Sequence, residues 1–265
     1  MTKKIFITGD THGAVAPRVD LLITTYPDLN PEDTALIILG DAGINYYLNK
    51  TDLKKKRELE QKGVYIYCVY GNHEERPGEH LGMRYVDDEV VGGAVWIEED
   101  FPHIRYFTVW GEYNIQGLST LVLGSAYSVD KHYRLQMGYQ WFENEQLKDY
   151  ERNACLRSMW SRRFDLVLSH TCPREWMPTD LFLGCVDQST VDNTMEKWLS
   201  EMNETLDWKV WLFGHFHADR IERPCVEMFY HEIEALDDII ARWDKYRETG
   251  ELDWWMPKGP NFYMS

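Results

Sequence analysis

Short apolar runs that stop at a glycine or serine and are followed by polar residues recur along this chain. The run Val64–Tyr70 is the clearest, because it ends at Gly71 and then presents Asn72, His73 and Glu74. Such a run has the length of a buried strand, and open α/β folds bind ligands where their strands end. The same arrangement occurs at four other places: Gly9-Asp10-Thr11-His12-Gly13, Gly40-Asp41, Ser169-His170 and Gly214-His215-Phe216-His217. The pattern predicts polar chemistry at the carboxyl edge of a sheet.

Apolar and β-branched runs predict the strands, and segments with apolar residues at helical spacing predict the helices. The predicted strands are 3–8, 35–39, 64–70, 95–98, 104–109, 118–123, 165–169, 210–213 and 226–231. The predicted helices are 17–26, 53–62, 141–164, 191–202 and 235–247. The first three strands alternate with helices, as in a right-handed parallel unit. The strands from 95 to 123 are too closely spaced for this, so that part is expected to be antiparallel or mixed.

Two polar segments each allow two interpretations. The basic run 54–57 lies on a predicted helix, where it is either a phosphate-binding patch or, as the pattern favours, a solvated helix face. The segment 125–134 is predicted to be a loop and carries Lys131, His132 and Arg134. It is either a lid over an anionic substrate or a solvated excursion.

The composition limits the class of protein. At 265 residues the chain is expected to form a single domain over 1–265, with a catalytic core of about 1–231 and a C-terminal helix and aromatic tail over 232–265. Asp and Glu outnumber Lys and Arg by 44 to 28, and the net charge of -16 disfavours extended nucleic-acid binding. Five cysteines without paired spacing, and no apolar stretch of about 20 residues, predict a cytoplasmic protein without a membrane span.

The polar residues at the strand ends are of metal-binding types. Asp10 and His12 lie two apart on a glycine-flanked turn and can point at one cation, although Asp10 could instead cap the next helix. His215 and His217 can serve two different metals, and Asp41 could bridge them. Nitrogen and oxygen ligands together suit Mn, Fe, Zn, Co or Ni better than Ca.

Five ordered motifs, Asp-x-His, Gly-Asp, Gly-Asn-His-Glu, a later single His and Gly-His-x-His, resemble those of the calcineurin-like metallophosphoesterase superfamily, over residues 9–217. The resemblance implies an α/β fold, a four-layer αββα sandwich of two mixed sheets, with two divalent metal ions between them, Mn favoured. The implied ligands are Asp10, His12, Asp41 and His217 for one metal, and Asp41, Asn72, His170 and His215 for the other. His73 would be the general acid or a donor to phosphate. Glu74 would support a histidine or end a turn.

The chain departs from the phosphoprotein phosphatases within that superfamily. Ile44, Asn45 and Tyr70 stand where that subgroup has an Asp and two Arg, which argues against a protein phosphatase. The remaining candidates for substrate binding are Arg76, Lys131, His132 and Arg134. The residues 44–47 could stack on a nucleotide base or simply pack.

The expected function is hydrolysis of a small or nucleotide-type phosphodiester or monoester. The alternatives are a Ser/Thr-type phosphoprotein phosphatase and a metal-binding interaction protein without activity.

Overall fold

The computed structural model describes residues 3–182, 184 and 186–251. Thirteen strands in this part of the chain form two sheets. The first sheet consists, in spatial order, of β13 (Ile233–Ala235), β1 (Lys4–Thr8), β2 (Thr34–Ile38), β3 (Tyr65–Cys68), β6 (Ile104–Phe107), β5 (Gly93–Ile97) and β4 (Arg84–Asp88). The second consists of β11 (Arg220–Arg223), β12 (Val226–Met228), β10 (Asp207–Phe213), β9 (Arg163–Ser169), β8 (Leu118–Leu123) and β7 (Trp110–Ile115).

Both sheets are mixed. Strands β1, β2, β3 and β6 pair in parallel in the first sheet, and β8, β9, β10 and β12 do so in the second. The outer strands of each sheet pair antiparallel. Because parallel strands end at the same edge, the residues that follow β1, β2 and β3 share one edge, as do those that follow β9 and β10.

Six α-helices accompany the two sheets in the described residues, and all except α6 lie outside the sheets. They are α1 (Val15–Thr25), α2 (Lys50–Glu60), α3 (Lys131–Met137), α4 (Asp149–Met159), α5 (Thr194–Thr205) and α6 (Leu236–Thr249). Residues of α1 and α2 share an apolar cluster with the first sheet, and residues of α4 and α5 share another with the second. A third cluster joins the two sheets and includes Ile239 and Trp243 of α6. The predicted four-layer sandwich is confirmed.

Strand β1 shows why the core strands are apolar at every position. Ile5 and Ile7 belong to the cluster between the sheets, whereas Phe6 belongs to the cluster under α1 and α2. Successive side chains of a strand point to opposite faces, so a sheet covered on both faces needs apolar residues throughout.

The predicted helix 141–164 is wrong in its first and last parts. Helix α4 begins only at Asp149, with Glu151 accepting the backbone N–H of Lys148, and it ends at Met159. The segment before it makes its polar contacts elsewhere, since the carbonyl oxygens of Asn144 and Glu145 accept hydrogen bonds from Arg76 and Ser125. Tertiary partners thus replace the helical hydrogen bonds there.

Other predictions also needed correction. The predicted loop 125–134 contains the start of α3, and the predicted strands do not include β4, β7, β11 or β13. Strand β4 lies at a sheet edge and is largely polar, and β7 contains Gly111, a residue type that is depleted in strands. In the basic run, Lys56 is buried and donates to Asn45 and Glu98 rather than facing solvent. The predicted aromatic tail 252–265 and Cys185 lie outside the described residues.

Candidate metal centre

Seven side chains from the five predicted strand ends meet at the edge of the sandwich where the parallel strands of both sheets end. Asp10 and His12 follow β1, Asp41 follows β2, and Asn72 follows β3. The second sheet contributes His170 after β9, and His215 and His217 after β10. The structure therefore brings together all of the side chains that the sequence suggested as metal ligands.

Four of these residues have a left-handed backbone conformation. The φ angles are 45° at His12, 49° at Asp41, 70° at His215 and 54° at His217. This conformation is unfavourable for residues with a side chain, and strain of this kind clusters at functional sites. The tight reversals after the strands aim the side chains at one point.

Glycine permits the close approach of these loops. A Cβ atom on Gly40, whose φ is 99°, would lie 2.0 Å from Nδ1 of His170, and one on Gly71 would lie 2.0 Å from Oδ1 of Asp41. The glycines that mark the strand ends in the sequence are therefore required by the packing of the centre.

Asp10, His12 and His217 form the first part of the centre. The Nε2 atoms of the two histidines are 2.9 Å apart, and Nε2 of His217 lies 3.4 Å from Oδ2 of Asp10. That carboxylate oxygen is buried and accepts no hydrogen bond of good geometry. An unpartnered buried carboxylate oxygen beside two imidazole nitrogens leaves electron pairs directed at a common point.

Asn72 and His170 form the second part, and their hydrogen bonds fix which atoms face each other. His170 donates from Nδ1 to the carbonyl of Leu39 at 2.8 Å, so its Nε2 carries a lone pair when the ring is neutral. Asn72 donates from Nδ2 to Oγ of Ser128 at 2.9 Å, which directs its Oδ1 toward His170. Oδ1 and Nε2 are 2.9 Å apart. Two acceptors at that distance repel each other unless a cation or an added proton lies between them.

Asp41 lies between the two parts. Its Oδ1 is 3.7 Å from Nε2 of His170, and its Oδ2 is 3.9 Å from Nδ1 of His12 and 4.0 Å from Nε2 of His73. Burial alone would raise the pKa of Asp41, but its interactions with His73, His170 and His12, including a hydrogen bond from the backbone N–H of His73, lower it well below its usual range. The carboxylate is therefore ionised at neutral pH.

The fourth histidine of the set is held without charge. Burial lowers the pKa of His215 to about 3, and neighbouring His170 contributes in the same direction. The backbone N–H of His215 donates to Oδ1 of Asp10 at 2.8 Å, which connects the two sheets. A neutral imidazole is the form that ligates a metal.

His73 is held by a cation. Nη2 of Arg134 contacts Nδ1 of His73, and Arg134 also donates to Asp130 at 2.7 Å and to the hydroxyl of Tyr46 at 3.1 Å. Since arginine can only donate, Nδ1 of His73 is the acceptor and the proton of the neutral ring lies on Nε2. Burial lowers the pKa of His73 and the charge of Arg134 lowers it further, so that the pKa falls despite the opposing effect of Asp41.

A comparison with models of protein families identifies the family of the chain. The sequence model described as calcineurin-like phosphoesterase matches residues 3–219. The chain belongs to the calcineurin-like phosphoesterase family. This family depends on divalent metals, so the chain is a metal-dependent phosphoesterase.

Two solved structures illustrate the similarity to known proteins. The protein TT1561 of Thermus thermophilus is 14% identical, with 89% of this chain and 98% of that chain covered and a TM-score of 0.44. The phosphopantetheinyl hydrolase PptH of Mycobacterium tuberculosis is also 14% identical, with 100% and 99% covered and a TM-score of 0.42. A search of curated proteins gave no match.

The donors of this phosphoesterase fit divalent metals. Carboxylate, imidazole and amide donors surround the centre, and their carboxylate and imidazole atoms lie within 4.8 Å of one another in three overlapping groups, which are Asp10–His12–His217, His12–Asp41–His73 and Asp10–Asp41–His170. The unpartnered Oδ2 of Asp10 and the facing acceptors of Asn72 and His170 are the donor arrangement that a cation requires.

The four predicted substrate-binding residues lie in different environments. Only Arg134 contacts the centre, through His73. Arg76 forms an ion pair with Glu151 at 2.7 Å, and the ammonium of Lys131 lies over the ring of Trp141 at 3.9 Å. His132 is exposed on α3.

The loop 44–47 does not line the cleft beside the metal centre. The ring of Tyr46 packs edge-on against Tyr47, with centroids 4.8 Å apart, and against Phe142, with centroids 6.2 Å apart. Ile44 and Asn45 are buried. The structure thus favours the packing interpretation of this loop.

Two residues of the centre's surroundings were missed. Ser128 accepts from Asn72 and donates from Oγ to Oε2 of Glu145 at 2.5 Å, and both residues are buried. Ser128 lies in the polar segment that the sequence singled out, but Glu145 lies in the segment wrongly predicted as helix. No pattern in the sequence connects them.

Glu74 acts on the loops themselves. Its Oε1 faces the backbone N–H groups of Ala42 and Gly71 at 3.4 Å. Burial, together with the charge of Asp41, raises the pKa of Glu74 to about 8. The side chain therefore connects the loops after β2 and β3, rather than supporting a histidine.

Proposed function

We propose that this phosphoesterase uses a dinuclear metal centre. One metal would be held by Asp10, His12, Asp41 and His217, and the other by Asp41, Asn72, His170 and His215. The observation that carries the proposal is the pair of acceptors, Oδ1 of Asn72 and Nε2 of His170, which face each other at 2.9 Å. Their hydrogen bonds to Ser128 and Leu39 keep both electron pairs directed inward.

Two bound divalent metals would supply charge stabilisation for a phosphate and a water of lowered pKa as the nucleophile. The charge and position of the chain's own residues support this role. Asp41 is ionised and lies between the two groups of donors, which supports its role as the shared ligand. The donor set is nitrogen and oxygen only, and Mn is the favoured metal among Mn, Fe, Zn, Co and Ni.

His73 would act on the substrate rather than on the metals. With Nδ1 accepting from Arg134, its Nε2 carries the proton and lies on the side of Asp41. A neutral imidazole in this orientation donates a hydrogen bond to a phosphate oxygen or to the leaving oxygen as negative charge develops there. The contact with Arg134 supports the role of donor over that of a protonated general acid.

The proposed substrate is a small or nucleotide-type phosphodiester or monoester. Support comes from the net charge of -16, which repels polyanions, and from Asn45 and Tyr70, which are buried and used for packing where the phosphoprotein phosphatases have arginine. Arg134 beside His73 favours a phosphomonoesterase or phosphoprotein phosphatase as the second candidate, because a cation is present after all. We further propose a cytoplasmic location, since the four described cysteines are free thiols.

Replacement of Asp41 by asparagine tests the dinuclear centre. Loss of the negative charge between the two sets of donors should reduce both metal sites, so the purified variant should contain well below two equivalents of metal. Asp88→Asn is the matched control, because Asp88 is also buried but accepts from Tyr67 and Arg105 far from the centre. Two full equivalents in Asp41→Asn, measured by elemental analysis, would show that Asp41 is not the bridge.

The substrate proposal needs a panel of esters with Mn present. Bis(nitrophenyl) phosphate, nitrophenyl phosphate and a phosphoserine peptide represent the three classes. A preference for the diester over the peptide is expected. A clear preference for the peptide would favour the phosphoprotein phosphatase instead.

A further inference from the structure

A cleft of about 480 Å³ opens beside the proposed metal centre, and its lining is of two chemical kinds. Five of the lining residues belong to the centre, namely Asp41, Asn72, His73, His215 and His217. Apolar residues also line the cleft, among them Met177, Leu181, Phe182, Val186, Val191 and Phe216. The volume lies within the range of about 300 to 1,000 Å³ that is typical of small-molecule sites. We call the six apolar residues the apolar wall.

The apolar wall is only partly used by the core. Met177 and Phe216 pack against the apolar cluster that the second sheet shares with α4 and α5, but both are only half-buried. Leu181 is 41% exposed. These apolar side chains stay in contact with water within a concave site. A ligand that covers them is therefore stabilised, because it removes their apolar surface from water.

Two rings define the shape of this surface. The rings of Phe182 and Phe216 are nearly parallel, with an angle of 18° and centroids 6.4 Å apart. The ring of Phe216 is also 4.9 Å from that of His215 and nearly perpendicular to it. Phe216 thus lies at the border between the metal centre and the apolar wall, so one molecule can contact both.

The charges in the cleft restrict what can lie against the wall. Asp130, Asp192 and Glu196 line it, and among the described residues no lysine or arginine does. Asp130 is paired through Oδ2 with Arg134, and its Oδ1 is buried without a hydrogen-bond partner. A second phosphate or a carboxylate on the organic part of a substrate would therefore meet Asp192 and Glu196, with no lysine or arginine among the described lining residues to balance its charge.

We propose that the apolar wall binds an uncharged aromatic group of the phosphate ester, while the phosphate lies at the metal centre. The substrate class is therefore a phosphate ester with a single phosphate and an uncharged ring system of up to about two rings. This inference rests on the proposed phosphoesterase centre and specifies which esters it acts on. Polyphosphates and esters of acidic alcohols are excluded by the same charges.

The experiment keeps the leaving group constant so that only binding changes. Diesters of 4-nitrophenyl phosphate would carry methyl, benzyl, naphthylmethyl or 4-carboxybenzyl as the second group. With Mn-loaded protein, kcat/KM should rise about 10- to 100-fold from methyl to naphthylmethyl, the effect expected of a ring stacked on aromatic side chains. The carboxylate should cancel the gain of the benzyl group.

Variants in the wall test which residues are responsible. Phe182→Ala and Leu181→Asp should reduce the ratio of kcat/KM between the naphthylmethyl and methyl esters to less than threefold. Leu135→Ala is the matched control, because Leu135 is 54% exposed on α3 but does not line the cleft. Binding of naphthylmethylphosphonate, followed by its fluorescence, should weaken in both wall variants and not in the control.

The outcomes separate the two proposals. If the wild-type protein hydrolyses none of these diesters, and neither nitrophenyl phosphate nor the phosphoserine peptide, with any metal, the proposed function fails. If it hydrolyses all of the diesters at similar kcat/KM, or if the preference for naphthylmethyl survives in both Phe182→Ala and Leu181→Asp, the phosphoesterase stands and the aromatic subsite is refuted.

Discussion

Ser128→Ala should weaken metal binding although Ser128 is not expected to touch a metal. Ser128 Oγ accepts from Asn72 and donates to Glu145, and these two hydrogen bonds keep the amide oxygen of Asn72 turned toward His170. Without the hydroxyl, the amide can rotate and offer its NH₂ group to His170 instead. Loss of such outer contacts reduces metal affinity by about 10- to 100-fold.

The variant should also lose stability in the metal-free state. Ser128 is 1% exposed, and its removal leaves a carboxylate oxygen of Glu145 and the Asn72 amide each short of a partner. An unsatisfied buried polar group costs about 1 to 3 kcal/mol. For a chain of this size, each kcal/mol corresponds to a shift in Tm of about 2 to 4 °C.

Calorimetric titration of the metal-free protein with Mn measures the affinity, and thermal unfolding without metal measures the stability. Ser125→Ala is the matched control, because Ser125 is equally buried and donates to the main-chain carbonyl of Glu145. It should lose stability but keep its metal affinity. Equal metal affinities in wild type and Ser128→Ala would refute the role of the Ser128–Glu145 pair.

Two further predictions concern single side chains. His73→Ala should keep its metal but lose about 10²- to 10³-fold in turnover. Since Arg134 leaves the proton on Nε2 of a neutral ring, a hydrogen bond from Nε2 to a phosphate oxygen should give a similar loss for nitrophenyl and alkyl leaving groups, and a much larger loss for alkyl esters would place His73 at the leaving oxygen. Burial, with help from Asp219, raises the pKa of Glu232 to about 7, so its favourable contribution exists below its ordinary pKa of 4.5 and is lost as the pH rises through 7. Because Glu232 is only half-buried, Glu232→Gln should be more stable than the wild type by about 1 kcal/mol at pH 8 and not at pH 5, and equal Tm differences at both pH values would contradict this.

The ligand candidates could be predicted from the sequence because each lies within a few residues of a strand end. Parallel strands bring their ends to one edge, so local patterns at Asp10, Asp41 and Asn72 determine a common location. The glycines of these motifs could also be recognised in the sequence. They are required because the loops that carry the ligands approach each other too closely for a side chain. The four-layer sandwich was implied by the family resemblance, and the apolar runs agree with it because such strands need cover on both faces.

The surroundings of the centre could not be predicted, because they depend on contacts between distant segments. Glu145 reaches Ser128 only because the preceding chain leaves helical geometry to bind Arg76 and Ser125. The apolar wall comes largely from the segment 177–191, most of which lies between the predicted strand 165–169 and the predicted helix 191–202. Such a loop has no periodicity from which the direction of its side chains could be inferred.

The partner of His73 illustrates how one motif can support different chemistry. In the phosphoprotein phosphatases the corresponding histidine has an aspartate partner, whose place is taken here by the buried Ile44. A carboxylate partner accepts the Nδ1 proton and favours a charged ring, whereas Arg134 donates to Nδ1 and disfavours it. The same Gly-Asn-His-Glu sequence thus places a neutral donor, not an imidazolium, beside the proposed metals. The arginine that decides this lies 61 residues away on α3, so the chemistry of the motif depends on a contact that the motif does not encode.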